Sequence, residues 1–366
     1  MIIGVPKEIK PEERRVSLTP AGVACLVRHG HRVMVEHDAG AGCGIADASF
    51  KEAGARLKRN PRELWLSADM VLKVKEPLDQ EIALMRKGQI VFTFLHLAAD
   101  KRLTRSLLKR RIVGIAYETV ELANGRLPIL RPMSEIAGHL AAQLAARGLE
   151  ADNGGKGIVM GGISGIAPAR VTIVGGGSAG FRAAEVAAGM GARVTILEIN
   201  KRTIIELRAK LGDRVKVKQS TIRSIDYEVM RSDAVIGALL RPGARAPTVI
   251  TGSMVRKMQR GAVIVDIAVD QGGCCETIRP TSHARPFYSL HGVVHCGITN
   301  LPGVVPRSST LALTRQTFPF VLQIADKGYL NAARGNPALM KGINLIDGKL
   351  TNPAVAQAFG LACHAV

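Results

Sequence analysis

The chain has 366 residues, which at about 150 residues per domain favours two domains. Hydrophobic residues make up 47% of the chain and charged residues 22%, so disorder is excluded as its main state. The formal net charge is +20, but the basic residues are spread along the chain. Aromatic residues make up only 4%, so no stacking platform for nucleic acid accompanies the charge. We therefore expect no nucleic-acid partner, and a basic surface that attracts anionic cofactors and carboxylate substrates.

The cysteines and the uncharged stretches favour a cytoplasmic protein. The six cysteines show no paired framework, which fits a reducing compartment. Charged residues at positions 7, 8 and 10 interrupt any apolar opening stretch, so no signal peptide is predicted. The longest uncharged run, residues 286–306, contains three prolines and three glycines and does not predict a membrane span. His295 and Cys296 lack partners at metal-ligand spacing, so no metal site is predicted.

The first part of the chain alternates short β-branched runs with helical patterns, which predicts βα units and a mainly parallel sheet. A helix is predicted from Thr19, as N-cap, and Pro20, at the first helical position, to Gly30. The basic residues between Lys101 and Arg111 are the expected solvated face of another helix. The predicted strands are residues 2–5, 32–36, 70–75, 90–95 and 112–116.

The second part of the chain has a more regular pattern. An amphipathic helix is predicted from Met133 to Leu149, and the glycine-rich stretch 154–165 after it is typical of a domain junction. The spacing that follows resembles one compact nucleotide-binding domain, and a last helix is predicted over residues 308–328. The predicted strands here are residues 171–174, 194–197, 215–217, 234–237 and 262–265.

The most informative single motif is G-x-G-x-x-G at Gly175, Gly177 and Gly180, between a β-branched strand and an alanine-rich helix. Gly175 allows a tight turn, Gly177 lets the backbone approach a pyrophosphate, and Gly180 lets helix and strand pack closely. The helix N-terminus then receives the anion. Glu198 ends the next predicted strand, where it is expected to accept hydrogen bonds from the adenosine ribose and to repel a 2′-phosphate, so NAD is preferred over NADP. The alternative is a glycine turn without a ligand.

Polar residues at predicted strand ends are the candidates for chemistry. Lys75 and His96 end neighbouring predicted strands, and the carboxyl ends of parallel strands line the crevice where ligands bind. Strand alternation places Lys73 and Lys75 on one face. Arg15 lies in a loop before a helix, where a guanidinium can hold a carboxylate in bidentate fashion. Asp270 lies just past the last predicted strand. The alternatives are a surface arginine, a structural histidine and a turn aspartate.

Over essentially its whole length, the sequence resembles the alanine dehydrogenase/nicotinamide nucleotide transhydrogenase family, and within it the alanine dehydrogenases. The motifs that carry the resemblance are the opening M-I-I-G-V-P-K-E-I-K, R-V-x-L-T-P from Arg15, V-K-E-P-L from Val74, L-H-L-A from Leu95, P-M-S-E from Pro132, P-G-A-x-A-P from Pro242, D-Q-G-G from Asp270 and V-P-x-x-S-T from Val305. The resemblance implies an α/β protein, in which a Rossmann dinucleotide-binding domain (residues 129–306) is inserted into a second α/β substrate domain (residues 1–128 and 307–366). It also implies a homohexamer.

The implied reaction is the reversible NAD-dependent oxidative deamination of L-alanine to pyruvate and ammonia. Arg15 would bind the substrate carboxylate, and Lys75 would hydrogen-bond the substrate and polarise its carbonyl or imine carbon. His96 would be the general acid/base, and Asp270 would position the attacking water or the amine and assist proton transfer. Besides Asp270, Glu198 and the three motif glycines, the implied cofactor contacts are Ser134, Ser178, Ala179, Ser220, Leu239, Leu240, Ile267, Ala268, Val269, Arg279, Ile298, Thr299, Asn300 and Leu301.

The sequence also departs from the family pattern. Family members usually have aspartate where Glu198 stands and a basic residue where Thr203 stands, whereas here the basic residues are Lys201 and Arg202. His139 replaces a usual arginine. The departures at Glu198 and Thr203 bear on how strictly NAD is preferred over NADP.

Three alternatives remain for the function. A transhydrogenase-like subunit moves hydride between two nucleotides and needs no substrate acid/base, so the motifs of Lys75 and His96 argue against it. A saccharopine dehydrogenase uses a similar lysine and histidine, but the chain length and the D-Q-G-G motif favour alanine. A nucleotide-binding protein without catalysis would not need the four polar positions.

Overall fold

The computed structural model describes residues 1–239 and 246–366. Its internal contacts divide the chain into two compact units, of which the first comprises residues 1–133 and 303–366 and the second residues 134–239 and 246–302. The sequence prediction set its domain boundaries at 128 and 306. The glycine-rich stretch 154–165 lies inside the second unit, so its interpretation as a junction is wrong. Some of these glycines serve close packing instead: a Cβ at Gly155 would lie 2.2 Å from the carbonyl oxygen of Gly148.

The first stretch of the first unit follows the predicted βα pattern. The hydroxyl of Thr19 accepts a hydrogen bond from the Gly22 N–H, and Pro20 occupies the first turn, so the first helix begins where its cap motif predicts. The elements are β1 (Ile2–Val5), α1 (Pro20–Arg28), β2 (Arg32–Glu36), α2 (Asp47–Glu52), β3 (Arg56–Lys58), α3 (Pro61–Ser67), β4 (Met70–Leu72), α4 (Asp79–Ile82), β5 (Ile90–Thr93), α5 (Lys101–Arg110) and β6 (Val113–Ala116).

The second unit is a doubly wound α/β fold. Its elements are α6 (Leu130–Gly148, the first four residues of which belong to the first unit), β7 (Arg170–Val174), α7 (Ser178–Gly189), β8 (Arg193–Glu198), α8 (Lys201–Leu211), β9 (Val215–Gln219), α9 (Ile222–Arg231), β10 (Ala234–Gly237), α10 (Gly252–Arg256), β11 (Val263–Asp266), β12 (Tyr288–Leu290) and β13 (Val293–Cys296). The sheet order is β12-β13-β11-β10-β7-β8-β9, and only β12 is antiparallel to its neighbour. Apart from β12, this is the 3-2-1-4-5-6 strand order of the Rossmann fold.

The last stretch of the chain returns to the first unit with α11 (Pro306–Lys327), α12 (Tyr329–Arg334), α13 (Pro337–Gly342), β14 (Ile343–Ile346), β15 (Lys349–Leu350) and α14 (Pro353–Phe359). The first unit's sheet has the order β15-β14-β6-β5-β4-β1-β2-β3. The strands β1 to β6 are parallel, and β14 and β15 pair antiparallel. The predicted α/β fold class is confirmed.

Two strand predictions that concern the site are too long at their carboxyl ends. The strand predicted to Lys75 ends at Leu72, and the one predicted to Leu95 ends at Thr93. In both cases a carboxylate from another segment binds the backbone N–H groups just past the strand: Glu8 accepts from Val74, and Glu118 accepts from Leu95 and His96. Periodicity in the sequence contains no signal for such a contact.

Most other predicted boundaries agree with the structure to within three residues, and the elements that the sequence analysis did not predict include the short strands β3, β12 and β15. All six cysteines are free thiols, as expected from the lack of a paired framework. Within the described residues, no helix combines the length and apolar character needed to cross a bilayer.

Candidate active site and cofactor site

In the first unit, charged side chains follow the carboxyl ends of four neighbouring parallel strands. The sheet places β6, β5, β4 and β1 side by side. Arg15 follows β1, Lys75 follows β4, His96 follows β5 and Glu118 follows β6. Because the carboxyl ends of parallel strands lie at one edge of a sheet, these groups share an edge, which we call the charged edge.

Arg15 is fixed by a bidentate ion pair with Glu13. The Nε atom donates to Glu13 Oε1 at 2.7 Å, and Nη2 lies 2.5 Å from Glu13 Oε2. The remaining terminal nitrogen, Nη1, lies 3.1 Å from the sulfur of Met133. The Arg15 side chain is only 2% exposed, so its orientation is set by these partners rather than by solvent. A buried, oriented guanidinium is suited to a carboxylate ligand.

Lys75 has a different environment from Lys73, although the sequence prediction placed both on one strand face. The backbone of Lys75 is held at two points, since its carbonyl accepts from the Thr93 hydroxyl at 2.9 Å and its N–H lies 3.4 Å from Glu8 Oε1. Its side chain is 6% exposed, yet in the described part of the chain its ammonium group forms no hydrogen bond or ion pair. Its positive charge acts on the carboxylate of Glu76, and its N–H groups are available to an oxygen of a ligand.

Lys73 is neutralised inside the protein. Its ammonium lies 3.0 Å from Glu8 Oε2 and 2.7 Å from Glu81 Oε1, and the side chain is 1% exposed. Burial alone would lower the pKa of Lys73, but the two carboxylates raise it above its usual value, so the lysine stays charged. Glu81 Oε2 also accepts from the Leu78 N–H. This buried triad fixes the segment that carries Lys75.

His96 is held by Glu118 through its backbone. The His96 N–H donates to Glu118 Oε1 at 2.6 Å, and the residue has a left-handed backbone with φ of 49°. Its Nδ1 atom is buried, has no hydrogen-bond partner, and lies 4.0 Å from the same carboxylate oxygen. A non-glycine residue in this conformation is strained, and such strain concentrates at functional sites. The backbone therefore fixes the position of the ring, and Nδ1 forms no hydrogen bond with the described residues.

Glu76 is close enough to the lysine and the histidine to respond to both. Burial alone would raise its pKa, but the charges of Lys75, Lys10 and His96 lower it below the usual value. Glu76 also pairs with Lys10. The charged edge thus contains a carboxylate that stays ionised beside the candidate substrate-binding lysine.

In the second unit, the glycine loop has the geometry that its motif predicts. Gly175 has a φ of +105°, and a Cβ at Gly180 would lie 1.9 Å from the Gly175 carbonyl oxygen. A Cβ at Gly177, by contrast, would meet nothing within 4 Å, so there is open space in front of this residue. No side chain caps the N-terminus of α7, which leaves backbone N–H groups of its first turn for an anion. The loop fits the pyrophosphate of a dinucleotide.

Glu198 stands at the end of β8 and holds the glycine loop. Its Oε2 accepts from the Gly176 N–H at 2.8 Å, and its Oε1 accepts from the Asn200 N–H at 2.8 Å. Of the nearby basic residues, Arg202 pairs with Glu206 one turn along α8 at 3.2 Å. The carboxylate therefore lies beside the loop, and Arg202 is engaged with its own helix.

The remaining residues predicted to contact a cofactor mostly follow strand ends of the second sheet. Six of its strands, β7 to β11 and β13, are parallel, and their carboxyl ends share one edge. The predicted residues just past these ends are Ser178 and Ala179 in the glycine loop and the start of α7, then Ser220, Leu239, Ile267, Ala268, Val269, Ile298, Thr299, Asn300 and Leu301. We call this the glycine-loop edge. Leu240 and most of the motif from Pro242 lie outside the described residues.

Two predicted cofactor residues belong to other elements. Ser134 lies on α6, and that helix packs against the glycine loop, because a Cβ at Gly138 would lie 2.2 Å from the Ala179 carbonyl oxygen. Arg279 is exposed, and its guanidinium lies 4.1 Å from the centroid of the Tyr288 ring. His139 is exposed on α6.

Asp270 is exposed in a helical turn that follows β11, and its Oδ2 accepts from the Asn300 N–H at 3.2 Å. The backbone around this turn is held by Asp266, the last residue of β11. Asp266 is fully buried and accepts hydrogen bonds from the N–H groups of Ala268, Cys274 and Cys275. Burial raises the pKa of Asp266 above its usual value despite these donors. The turn that presents Asp270 is thus built on a single buried carboxyl group.

Sequence reasoning missed the carboxylates that organise the site. Glu8, Glu81, Glu118 and Asp266 each bind backbone N–H groups next to a predicted site residue. Glu118 and Asp266 could have been predicted from the sequence, because both lie at or just past the carboxyl end of an apolar strand. The pairing of Glu8 with Lys73 joins residues that are 65 positions apart in sequence, so local spacing does not encode it.

One cluster of possible metal ligands includes two residues that directly follow β2 of the first sheet. His37, Asp38 and Asp47 place ligand atoms within 4.8 Å of one another. His37 lies 3.1 Å from a carboxylate oxygen of Asp38, and the Asp38 N–H donates to Asp47. These residues contact one another, two of them are exposed, and we assign the cluster no ligand.

These two edges define a class of protein: a two-unit dehydrogenase, with a Rossmann unit for a nicotinamide dinucleotide and an α/β unit with a buried lysine and a histidine. Comparison with known proteins agrees with this class. The alanine dehydrogenase/PNT N-terminal domain matches residues 4–137, and the alanine dehydrogenase/PNT C-terminal domain matches residues 141–353.

Individual relatives match the chain over its full length. The chain is 52% identical over 363 residues to the alanine dehydrogenase of Geobacillus stearothermophilus, covering 99% of this chain and 97% of that protein. It is 50% identical over 362 residues to the alanine dehydrogenase of Methanococcus maripaludis, with the same coverage. A solved L-alanine dehydrogenase structure superposes with a TM-score of 0.92 at 48% identity, covering 98% of this chain and 99% of that one.

The chain belongs to the alanine dehydrogenase/PNT family. This result confirms the predicted family and the predicted dehydrogenase class.

Proposed function

We propose that the protein catalyses the reversible, NAD-dependent oxidative deamination of L-alanine to pyruvate and ammonia. The observation that carries the proposal is the buried Lys75, whose ammonium forms no hydrogen bond or ion pair with the described residues, at the same strand edge as His96 and Arg15. A nucleotide-binding protein without catalysis has no need for a buried lysine at this edge. The support from relatives is that alanine dehydrogenases match the chain at about half identity over its full length.

On the substrate side, we assign binding to Arg15 and Lys75. The Arg15 guanidinium, oriented by Glu13, binds the carboxylate of alanine or pyruvate. The Lys75 ammonium donates to the substrate and polarises its carbonyl or imine carbon, and the ligand oxygen supplies the partner that the protein does not. His96 moves the proton as general acid/base, a role suited to an imidazole at neutral pH. Asp270 positions the attacking water or the amine and assists proton transfer.

On the cofactor side, the glycine loop and Glu198 support NAD. When bound, NAD supplies the acceptor for the substrate hydrogen that leaves as hydride. Gly175, Gly177 and Gly180 bring the backbone to its pyrophosphate, and the Glu198 carboxylate accepts from its ribose hydroxyls. A carboxylate at this place repels the 2′-phosphate of NADP. The other cofactor contacts are those assigned to the glycine-loop edge, together with Ser134, Leu240, Asp270 and Arg279.

We assign substrate binding to residues 1–128 and 307–366 and cofactor binding to residues 129–306. A cytoplasmic location and a homohexamer also belong to this proposal. The free thiols support the first, because they suit a reducing compartment. The second rests on the family resemblance, and light scattering of the purified protein tests it.

The experiment is a spectrophotometric assay of NADH formation with purified protein, L-alanine and NAD, repeated with NADP and in reverse with pyruvate, ammonia and NADH. We expect turnover with NAD and much less with NADP. Comparable rates with both would retain the enzyme and remove the assigned role of Glu198. No turnover in either direction, together with hydride transfer between two nucleotides, would replace the proposal with a transhydrogenase-like function.

The role of His96 has its own test. His96→Ala should lower turnover by about 10²–10⁴-fold, the usual contribution of a general acid/base. NADH binding, followed by its fluorescence, should not change, because His96 belongs to the first unit and the glycine loop belongs to the second. Loss of NADH binding would place His96 in the cofactor site instead.

A further inference from the structure

A row of three arginines lies at the edge of the second sheet opposite to the glycine loop. Arg170 begins β7, Arg193 begins β8, and Arg214 directly precedes β9. Arg170 and Arg193 are register partners, and Val194 pairs with Val215, which places Arg214 beside Arg193. Neighbouring strands are about 4.8 Å apart, so three cations stand side by side at the start of three parallel strands. We call them the arginine row.

A cavity of about 490 Å³ opens beside the arginine row. Lys216 extends the row on the sheet side, and α9 contributes Tyr227 and Arg231 from the other side. The Tyr227 ring is half exposed, and the Arg231 guanidinium lies 5.0 Å from its centroid. A cavity of this volume suits a small molecule rather than a macromolecule.

The positive charge of this cavity is not balanced by the protein. Two carboxylates line it, and one of them, Glu228, is engaged by Lys218 at 2.6 Å. The other is Asp213. Among the described residues, the arginine row and Lys216 form no ion pair. Like charges on neighbouring strands destabilise a sheet. The arginine row therefore does not serve folding, and its presence indicates a function.

We propose that the arginine row and its cavity bind a small polyanion that carries several phosphate groups. Guanidinium groups bind phosphate oxygens with two parallel hydrogen bonds, and three of them in register can follow a chain of phosphates. The free face of Tyr227 offers a surface on which a nucleobase can stack. The common chemistry is the polyphosphate chain, whether it is inorganic or part of a nucleotide.

This site is separate from the proposed NAD site. The arginine row precedes or begins the same strands whose other ends lead to Gly175, Glu198 and Ser220. Five residues of strand separate the two ends by about 16 Å. A ligand in the cavity therefore leaves the glycine loop free, and the two sites can be filled together.

The test is calorimetric titration of the whole protein with inorganic tripolyphosphate and with ATP, with NADH at saturation to occupy the glycine loop. We expect both probes to bind, and the double variant Arg193→Gln/Arg214→Gln to weaken binding about tenfold or more, because hydrogen bonds to charged groups are lost. The matched control is Arg105→Gln/Lys109→Gln, which removes the same charge from the exposed face of α5. It should leave binding unchanged. Melting temperature in tripolyphosphate gives a second measurement, since ligand binding stabilises the folded state.

The outcomes distinguish the sources of the ligand. If ATP binds more tightly than tripolyphosphate, and Tyr227→Ala makes the two affinities equal, the ligand is a nucleotide. If the two affinities are already equal in the unchanged protein, the ligand is a polyphosphate. If both double variants bound the probes equally weakly, the binding would be due to the overall positive charge of the protein, and the proposal would be overturned. Absence of binding, or displacement of tripolyphosphate by a lower concentration of a single-stranded oligonucleotide, would also overturn it.

Discussion

The charged edge of the first unit and the glycine-loop edge of the second unit are both made by the carboxyl ends of parallel strands, yet they are built in opposite ways. At the charged edge, buried carboxylates bind cations and backbone N–H groups, as Glu8 does with Lys73 and Val74. At the glycine-loop edge, the essential feature is the lack of side chains, as at Gly177 and Gly180.

The difference follows from the ligands proposed for each edge. A small substrate with one carboxylate needs a few charged groups held in fixed directions, and such groups need partners that orient them. A dinucleotide is long and carries a pyrophosphate that backbone N–H groups can bind directly. The charged edge is therefore sensitive to changes of charge, and the glycine-loop edge is sensitive to added volume.

The largest expected effect comes from exchanging the two buried lysines of the charged edge for methionine. Lys75→Met should lower kcat/KM by at least about 10²-fold, because the substrate loses its donor. Its free energy of unfolding should fall only slightly, because the Lys75 ammonium forms no hydrogen bond or ion pair with the described residues and only its charge acts on Glu76. Urea unfolding and steady-state kinetics measure both quantities.

Lys73→Met is the matched variant for that comparison. It leaves Glu8 and Glu81 buried without their cation, so the free energy of unfolding should fall by about 3–5 kcal/mol. If the two variants lost equal stability, Lys75 would be a structural lysine and its proposed role would be wrong.

The next effect concerns added volume at the glycine-loop edge. Gly180→Ala places a Cβ 1.9 Å from the Gly175 carbonyl oxygen, and overpacking of this kind costs about 1–3 kcal/mol of stability. Gly177→Ala meets no protein atom within 4 Å, so the protein should stay as stable as before while NADH binds more weakly. Thermal unfolding and NADH fluorescence separate the two variants. Unchanged NADH affinity in Gly177→Ala would mean that the open space at this residue is not the pyrophosphate site.

The smallest effect is on the pH dependence of stability. Burial alone would raise the pKa of Glu76, but Lys75, Lys10 and His96 lower it below its usual value of 4.5. A carboxyl group with a lowered folded-state pKa contributes stability that is present above its unfolded pKa and is lost as the pH falls through its folded pKa. Glu76→Gln should therefore flatten the decline of unfolding free energy below about pH 4.5. The exposed Glu52→Gln is the control, and an identical decline in both variants would contradict the prediction.

The glycine-loop edge could be predicted from the sequence more fully than the charged edge. A loop such as Gly175 to Gly180 is encoded locally, since strand, glycines and helix follow one another within a few residues. The end of β8 at Glu198 follows in the same way from periodicity. The α/β class followed from the alternation of strand and helix patterns, which local sequence also carries.

The charged edge depends on contacts between distant segments. Glu8 meets Lys73 and Val74 across more than sixty residues of sequence, and Glu118 meets His96 across more than twenty. These contacts end the strands earlier than the apolar pattern predicts and separate the environment of Lys73 from that of Lys75. Spacing along the chain contains no information about them, so the residue types were predicted and their partners were not.

The triad of Glu8, Lys73 and Glu81 also has a consequence for heating. The hydration of charged groups becomes less favourable as temperature rises, so the cost of keeping three of them away from water decreases. The hydrophobic contribution per unit of buried area does not grow in the same way. The segment that carries Lys75 is therefore expected to stay folded at temperatures where purely apolar parts of the protein begin to loosen. We expect it to unfold late during thermal inactivation.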